Sequence, residues 1–220
     1  MKFSDIFPPF RMRIIRRYAG HGPLRILDVG CASSSPQLTR ASFPGCTYTA
    51  IDIAEPNAET RAVIDSFHQM DISRLDFEVI ADGSIDVLIL SHVLEHVSNG
   101  LDVLSALLPK LRPGGVAYVE YPAIKSLGLP SAYNTLQFCD DPTHVQLYSL
   151  VDVGNRMLNG GLRVLDGGTR RDWPRIILAP LSIPSQISSL LKRGKLNAKG
   201  LWDISGFAEY AVGVRPRESV

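Results

Sequence analysis

The sequence predicts an α/β chain built on a doubly wound, mostly parallel sheet. Short apolar runs alternate with helical stretches from Leu24 to Tyr121, the pattern of successive βαβ units. One run, Ile85-Asp-Val-Leu-Ile-Leu90, is apolar enough for a strand covered on both faces. At 220 residues and 24.1 kDa the chain suits one domain with an appendage.

Each element has its local reason. Phe10 to Ala19 reads as a short basic helix, with Ile14, Ile15 and Tyr18 at helical spacing. Leu24 to Val29 is a buried strand stopped by Gly30. Pro36 to Ser42 follows as a helix, with Ser33, Ser34 and Ser35 available as caps. Cys46 to Asp52 is a second strand rich in β-branched residues. A helix is expected from Pro56 to Ser66, with Pro56 in its first turn, and a short strand from Phe67 to Met70. After the strand ending at Leu90, a helix should run from Val93 to Leu111, with Asn99-Gly100 as its weak point, and stop at Pro113-Gly-Gly115. Val116 to Tyr121 is the fifth strand. Beyond it lie a polar stretch to His144, a helix from Ser149 to Leu158 and a strand from Gly161 to Leu165. An insertion from Trp173 to Ser205 precedes a last strand, Ala208 to Val214.

Composition excludes several classes. An apolar share of 45% with 20% charged residues is that of a folded chain, not a disordered one. No run of apolar residues is long enough to span a bilayer, and the N-terminus lacks a signal-like apolar region. Cys31, Cys46 and Cys139 are odd in number and scattered, which points to a reducing, cytoplasmic setting. Net charge is only +1, so there is no global attraction to nucleic acid. Basic residues crowd two places, Arg11 to Arg17 and Arg163 to Lys199. Both fit a solvated face better than an anionic partner.

The turn after the first strand reads Asp28-Val-Gly30-Cys31-Ala32-Ser-Ser34. Gly30 permits a tight turn and a close ligand, at which the following amides can point. Asp52 ends the second strand, 24 residues after Asp28, near the spacing of a carboxylate that accepts from ribose hydroxyls. A pyrophosphate on this loop would be opposed by Asp28, whereas an ammonium group would be favoured by it.

With these landmarks the chain resembles the class I S-adenosylmethionine-dependent methyltransferases, in their small single-domain form. The resemblance rests on Ile26-Leu-Asp-Val-Gly-Cys31, Tyr48-Thr-Ala-Ile-Asp-Ile53, Met70-Asp71, the run from Ile85 to Val97, and Leu108-Pro-Lys-Leu-Arg-Pro-Gly-Gly115. They stand in the family's order over roughly residues 24 to 122. The resemblance implies a Rossmann-like sheet of seven strands whose last strand is antiparallel. It also implies S-adenosylmethionine as cofactor. Asp28, Gly30, Cys31 and Ala32 would lie at its methionine end, Asp52 at the ribose, Ile53 and Met70 against the adenine and Asp71 at its amino group. Ser91 and His92 would flank the sulfonium. Where the family usually has Gly-x-Gly-x-Gly, this chain has Ala32 and Ser34; the methyl of Ala32 is tolerated only if its φ is negative.

Methyl transfer to oxygen needs a positioned acceptor and a base for its proton. His92, Glu95 and His96 would share one face of the helix after the fourth strand, and His144 follows the fifth. Glu95-His96 and His144 also resemble residues that shape the active site in this family. Three readings stand open: His144 or His96 as base with Glu95 orienting it, a divalent-metal site formed by His92, Glu95, His96 and His144, or structural histidines. The first is adopted, with no metal. His21 and His68 are given no chemistry.

The insertion joins an apolar stretch, Ile176 to Leu191, to Lys192-Arg193. It reads first as a lid over the acceptor, next as a plain helical cap, and last as a membrane contact. The whole is expected to be one domain: a basic helix over 1–20, a cofactor-binding core over 21–122, and an acceptor-side half over 123–220 that carries the insertion 173–205. The expected activity is methyl transfer to a small-molecule or sugar-like acceptor, most readily at oxygen. The alternative is a cofactor-binding regulatory module without turnover.

Overall fold

The computed structural model describes residues 8–20, 22–32, 34–198 and 200–217. His21, the cap candidate Ser33, Lys199 and the first seven residues lie outside them. Seven strands form one sheet in the order β3-β2-β1-β4-β5-β7-β6. They are β1 (Arg25–Val29), β2 (Thr47–Asp52), β3 (Ser66–Gln69), β4 (Ile85–Ser91), β5 (Leu111–Pro122), β6 (Arg163–Thr169) and β7 (Ala208–Val214). The first five are parallel, and β7 runs antiparallel to both β5 and β6. The expected doubly wound sheet with an antiparallel last strand is therefore present.

Period-two alternation sorts the core into two layers. Leu27, Val29, Leu88, Leu90 and Val119 face helices α4 (Gly100–Leu107) and α5 (Leu150–Asn159). Ile26, Tyr48, Val87, Ile89 and Tyr118 face the other way, where α1 (Phe10–Ala19) lays down Phe10, Met12, Ile14 and Ile15. Helix α2 (Ser35–Ser42) lies on that side too, against β2. Both faces of β4 are thus covered. Its N-terminal Asp86 is tied by Arg25 and Arg112 across the strand ends, which holds that carboxyl down at about 2 despite partial burial.

Several expected elements differ. The helix over Pro56 to Ser66 shrinks to one turn, α3 (Ala58–Arg61), because Asn57 caps it through Thr60 N at 2.8 Å. Asp65 leaves the helix to accept from Tyr48 N at 2.7 Å and so starts β3 beside β2. The helix expected from Val93 to Leu111 breaks into a 3-10 turn at Leu94–His96, α4 and a second 3-10 turn at Leu108–Lys110. The serine caps of α2 are not used. Ser34 makes no capping bond, and the Ser35 hydroxyl turns inward to Asp28.

The insertion holds α6 (Trp173–Leu178), α7 (Ile183–Arg193) and α8 (Trp202–Ser205). Its packing onto the body comes from Leu196, Ala198, Leu201 and Trp202, which gather with Phe207 and Leu136. Helices α6 and α7 contribute none of that small core. No described helix is long and apolar enough to cross a membrane.

Candidate active site

The turn between β1 and α2 is built around Gly30. Its φ is +69°, and a Cβ there would stand 2.3 Å from Val93 Cγ2, so only glycine fits. Ala32 follows at φ +48°, so the chain carries the methyl without the negative φ set as its condition. What holds it there is Asp52, whose Oδ2 accepts from Ala32 N at 3.1 Å while Oδ1 accepts from Ala54 N at 3.2 Å. Asp52 therefore shapes both loops as well as presenting its carboxylate between them.

Asp28 and Cys31 lie beneath this turn rather than in the wall of a cleft. Asp28 is buried and accepts from the Ser35 and Tyr48 hydroxyls, the latter at 2.5 Å. Burial raises its carboxyl pKa against the lowering pull of Arg11 and those hydroxyls. Burial likewise pushes the Cys31 thiol up to about 12, which leaves it an inert apolar filler.

Above the turn opens a cleft of about 240 Å³ lined by Gly30, Asp52, Ile53, Met70, Asp71, Ile72, His92, Val93, His96 and Val97. Its chemistry fits an adenosine group. Ile53 projects with 71% of its surface exposed, opposite Met70 and Ile72, as apolar walls for a flat ring. Asp52 and Asp71 supply acceptors at its edge. Asp71 is held ionised by the Ser73 hydroxyl and amide, at 2.7 and 3.0 Å.

A second hollow of about 260 Å³ lies on the other side of the turn, bordered by Arg11, Ser34, Ser91, His92, Glu120 and Arg170 among others. Ser91 borders this hollow and not the cleft beside Asp52. Arg11 was not anticipated. Of the four basic residues in α1, Arg13 pairs with Asp172, Arg16 caps the Ser42 carbonyl and Arg17 approaches Asp166. Arg11 instead donates to Ser35 Oγ at 2.7 Å, over the turn, where its charge suits the carboxylate end of an amino acid.

His92 borders both hollows and a third of about 310 Å³, which also takes in Glu95, His96, His144 and Trp202. Its backbone is left-handed, at φ +57°, so the expected shared helical face of 92, 95 and 96 does not form. The ring instead bridges two buried carboxylates: Nδ1 lies 3.0 Å from Glu95 Oε1 and Nε2 3.0 Å from Glu120 Oε1. Against the cost of burial, these partners raise its pKa to about 9. His92 is therefore a cation at neutral pH, with no lone pair to act as a base.

The charges continue alternately through the core. Arg170 donates to Glu120 at 3.3 Å and pairs with Asp203 of α8 at 3.2 Å. Tyr118 donates to the remaining Glu120 oxygen. Arg170 and His92 hold the Glu120 carboxyl far below the usual carboxylate range, overriding its burial. Sequence reasoning passed over Glu120, Arg170 and Asp203. The signal for the first was present: one acid inside an otherwise apolar strand, Val116-Ala-Tyr-Val-Glu-Tyr121.

His96 and His144 stand together across the third hollow, ring centres 4.9 Å apart. His144 Nδ1 lies 2.7 Å from the Phe138 carbonyl, and His96 Nδ1 lies 3.3 Å from the Thr143 carbonyl. A carbonyl only accepts, so each Nδ1 carries a proton, which leaves Nε2 as the nitrogen that can offer a lone pair; that of His144 lies 3.9 Å from Asp141 Oδ2. The Glu95 carboxylate is the third member: buried, with Oε2 lacking a hydrogen-bond partner among the described residues. One ligand-capable atom from each of the three falls within 4.8 Å of the others.

Comparison with known proteins agrees with this geometry. A family model described as "Methyltransferase domain" matches residues 8–166. The chain is 32% identical over 117 residues to the ubiquinone biosynthesis O-methyltransferase of Nitrosococcus oceani, covering 50% of this chain and 48% of that one. It is 33% identical over 118 residues to the human thiol S-methyltransferase TMT1A, covering 47% and 45%. The chain thus spans about half the length of the curated relatives it matches. A methyltransferase from Archaeoglobus fulgidus superposes at TM-score 0.57 with 17% identity over 97% of this chain and 98% of that one. One from Mesorhizobium loti does so at 0.61 with 14% identity over 93% and 96%. With the glycine turn, the acid of β2 and this strand order in place, the match across residues 8–166 means that the chain belongs to the methyltransferase domain family, as a class I S-adenosylmethionine-dependent member.

Proposed function

We propose that this protein methylates a hydroxyl oxygen of a small-molecule or sugar-like acceptor. One observation carries the reading: three hollows meet at His92, and the acceptor-side one presents a histidine Nε2 lone pair beside the cofactor cleft. Bound along the glycine turn, S-adenosylmethionine supplies a sulfonium-activated methyl group. Asp52 and Asp71 hold the adenosine between Ile53 and Met70, and Arg11 faces the carboxylate end. His144, its Nδ1–H locked on the Phe138 carbonyl, accepts the hydroxyl proton at Nε2. The fixed His92 cation donates hydrogen bonds and holds Glu95 in place. Calorimetric titration of the demethylated cofactor tests the first half. Tight binding is expected, weakened at least about tenfold in Asp52→Ala; absence of binding in the folded protein would remove the reading.

A second reading is favoured by the unpartnered Glu95 Oε2. A divalent cation held by Glu95, His96 and His144 would satisfy that oxygen and occupy both Nε2 lone pairs. It would draw the acceptor oxygens into the same hollow and leave no histidine as base. Turnover surviving a strong chelator supports the base; turnover lost to it and restored by added metal supports the cation. The regulatory-module alternative took its motive from Ala32 and Ser34. Ala32 nonetheless adopts the left-handed path that glycine would take and keeps its amide on Asp52, which supports a loop still shaped for the cofactor.

A further inference from the structure

Helix α7 is built inside out. Its polar residues face the protein: Gln186 bonds to both the amide and the carbonyl of Asn197 at 2.9 Å, and Ser189 donates to the Lys195 carbonyl at 2.9 Å. Its apolar residues Ile183, Ile187 and Leu191, at positions i, i+4 and i+8, face solvent. The preceding turn and α6 also expose Trp173, Ile177 and Leu181. Leu181 is 78% exposed and Leu191 83%. An amphipathic helix packed on its own core shows the reverse arrangement. Scattered exposed leucines need no explanation, but a stripe this continuous does.

The charge of the segment indicates what covers it. From Trp173 to Trp202 the chain carries Arg175, Lys192, Arg193, Lys195 and Lys199 and no Asp or Glu. Lys192 ends α7 next to Leu191, so a cation borders the apolar stripe, while Arg193 lies over the Tyr133 ring at 3.9 Å. Apolar residues outward, tryptophan at one end and lysine and arginine at the other is the arrangement of a helix lying in the interface of an anionic bilayer. A second copy of this surface would bring two basic rims together and repel.

We infer that the outward face of α6 and α7 docks on an anionic lipid bilayer. The site lies close behind it. Arg175 borders an open hollow of about 610 Å³ with Leu178, Leu181, Ser185 and Asn197, and also borders the hollow that reaches His92 and Glu120. Docking would therefore turn the acceptor side of the molecule toward the membrane. The inference stands on the insertion alone and does not depend on the acceptor or the base proposed above.

Flotation of the full chain with vesicles tests it. Vesicles of phosphatidylcholine mixed with phosphatidylglycerol should carry the protein up at low salt, and vesicles of phosphatidylcholine alone should not. Mixed vesicles should shift the tryptophan emission to the blue, and Trp173→Phe should remove that shift. Leu181→Asp with Leu191→Asp should weaken flotation by about tenfold or more. Both side chains are exposed, so the fold should survive, as circular dichroism would check. Lys192→Glu should weaken it by about fivefold or more. Failure to float with the anionic vesicles, or equal flotation with both kinds, would overturn the inference. So would a dimer in sedimentation that Leu181→Asp with Leu191→Asp dissolves.

Discussion

His92 Nε2 lies 3.0 Å from Glu120 Oε1, a histidine from the loop after β4 clasped by an acid near the end of the neighbouring strand. Glu95 closes on the opposite ring nitrogen, and Arg170 closes on Glu120. The cluster joins the sheet to the insertion, because Arg170 also holds Asp203 of α8. A buried charge costs several kcal/mol unless it is paired; here each charge is paired, and breaking any one exposes the rest.

Stability should depend on the charge of His92. Its folded pKa, raised to about 9 from an ordinary 6.5, means that its contribution is fully present below pH 6.5 and is lost as pH rises through 9. The shift corresponds to about 3 kcal/mol. Denaturant unfolding of the native protein, with chelator present, should therefore weaken between pH 6.5 and 9 more steeply than that of His92→Gln. Parallel pH profiles for the two would show that His92 carries no such charge.

Glu120→Gln should destabilise the fold by about 3 kcal/mol or more, since it leaves Arg170 and His92 facing an amide in a buried site. The same change removes one of the two carboxylates that raise the His92 pKa. Imidazole titration by NMR should then place His92 lower than in the native protein. An unchanged titration would mean that Glu95 alone sets it.

The turn after β1 tests a different physics. Ala32 at φ +48° occupies a region that costs a residue with a side chain about 1 kcal/mol or more. Ala32→Gly should stabilise the protein by up to about 1 kcal/mol, since relief of the strain exceeds the greater freedom of an unfolded glycine. Thermal unfolding would read this as a rise of about 2–4 °C. Affinity for the demethylated cofactor should stay level or improve. A lower melting point would mean that Asp52 and the Ala32 amide hold the loop without strain.

The elements legible in the sequence are those whose pattern is local. Helix α1 and strand β7 have the limits expected of them, because apolar spacing and flanking Gly20 and Gly206 mark both. The glycine turn and its acid at β2 were equally readable. Helix α3 starts after Pro56 because Asn57 caps it, and stops short of Ser66 because Asp65 spends its carboxylate on β2. The His92 geometry was out of reach for another reason. Its partner Glu120, and Arg170 that in turn pairs with Glu120, are 28 and 78 residues away along the chain, and only the folded sheet shows that they meet. A helical wheel over residues 92 to 96 puts His92 beside His96, whereas a left-handed backbone at 92 turns it toward β5.

The base is tested by comparing two histidines that share one hollow. His144 is held by the Phe138 carbonyl and stacks on the Phe138 ring at 4.7 Å, so its Nε2 is the better fixed of the two. His96 hangs on Thr143, whose hydroxyl is itself committed to Asp141 at 2.6 Å. A general base contributes about 10²–10⁴-fold to turnover. His144→Ala should lose about that factor, with affinity for the demethylated cofactor nearly unchanged because His144 does not border the adenosine cleft. His96→Ala should cost less turnover and some cofactor affinity, since His96 borders both hollows. His144→Gln is the control for shape: it keeps a hydrogen-bonding side chain but removes the titrating lone pair. Its turnover should match that of His144→Ala. Full turnover in His144→Ala from pH 6 to 8 would take the proton away from His144 and leave His96 as the base.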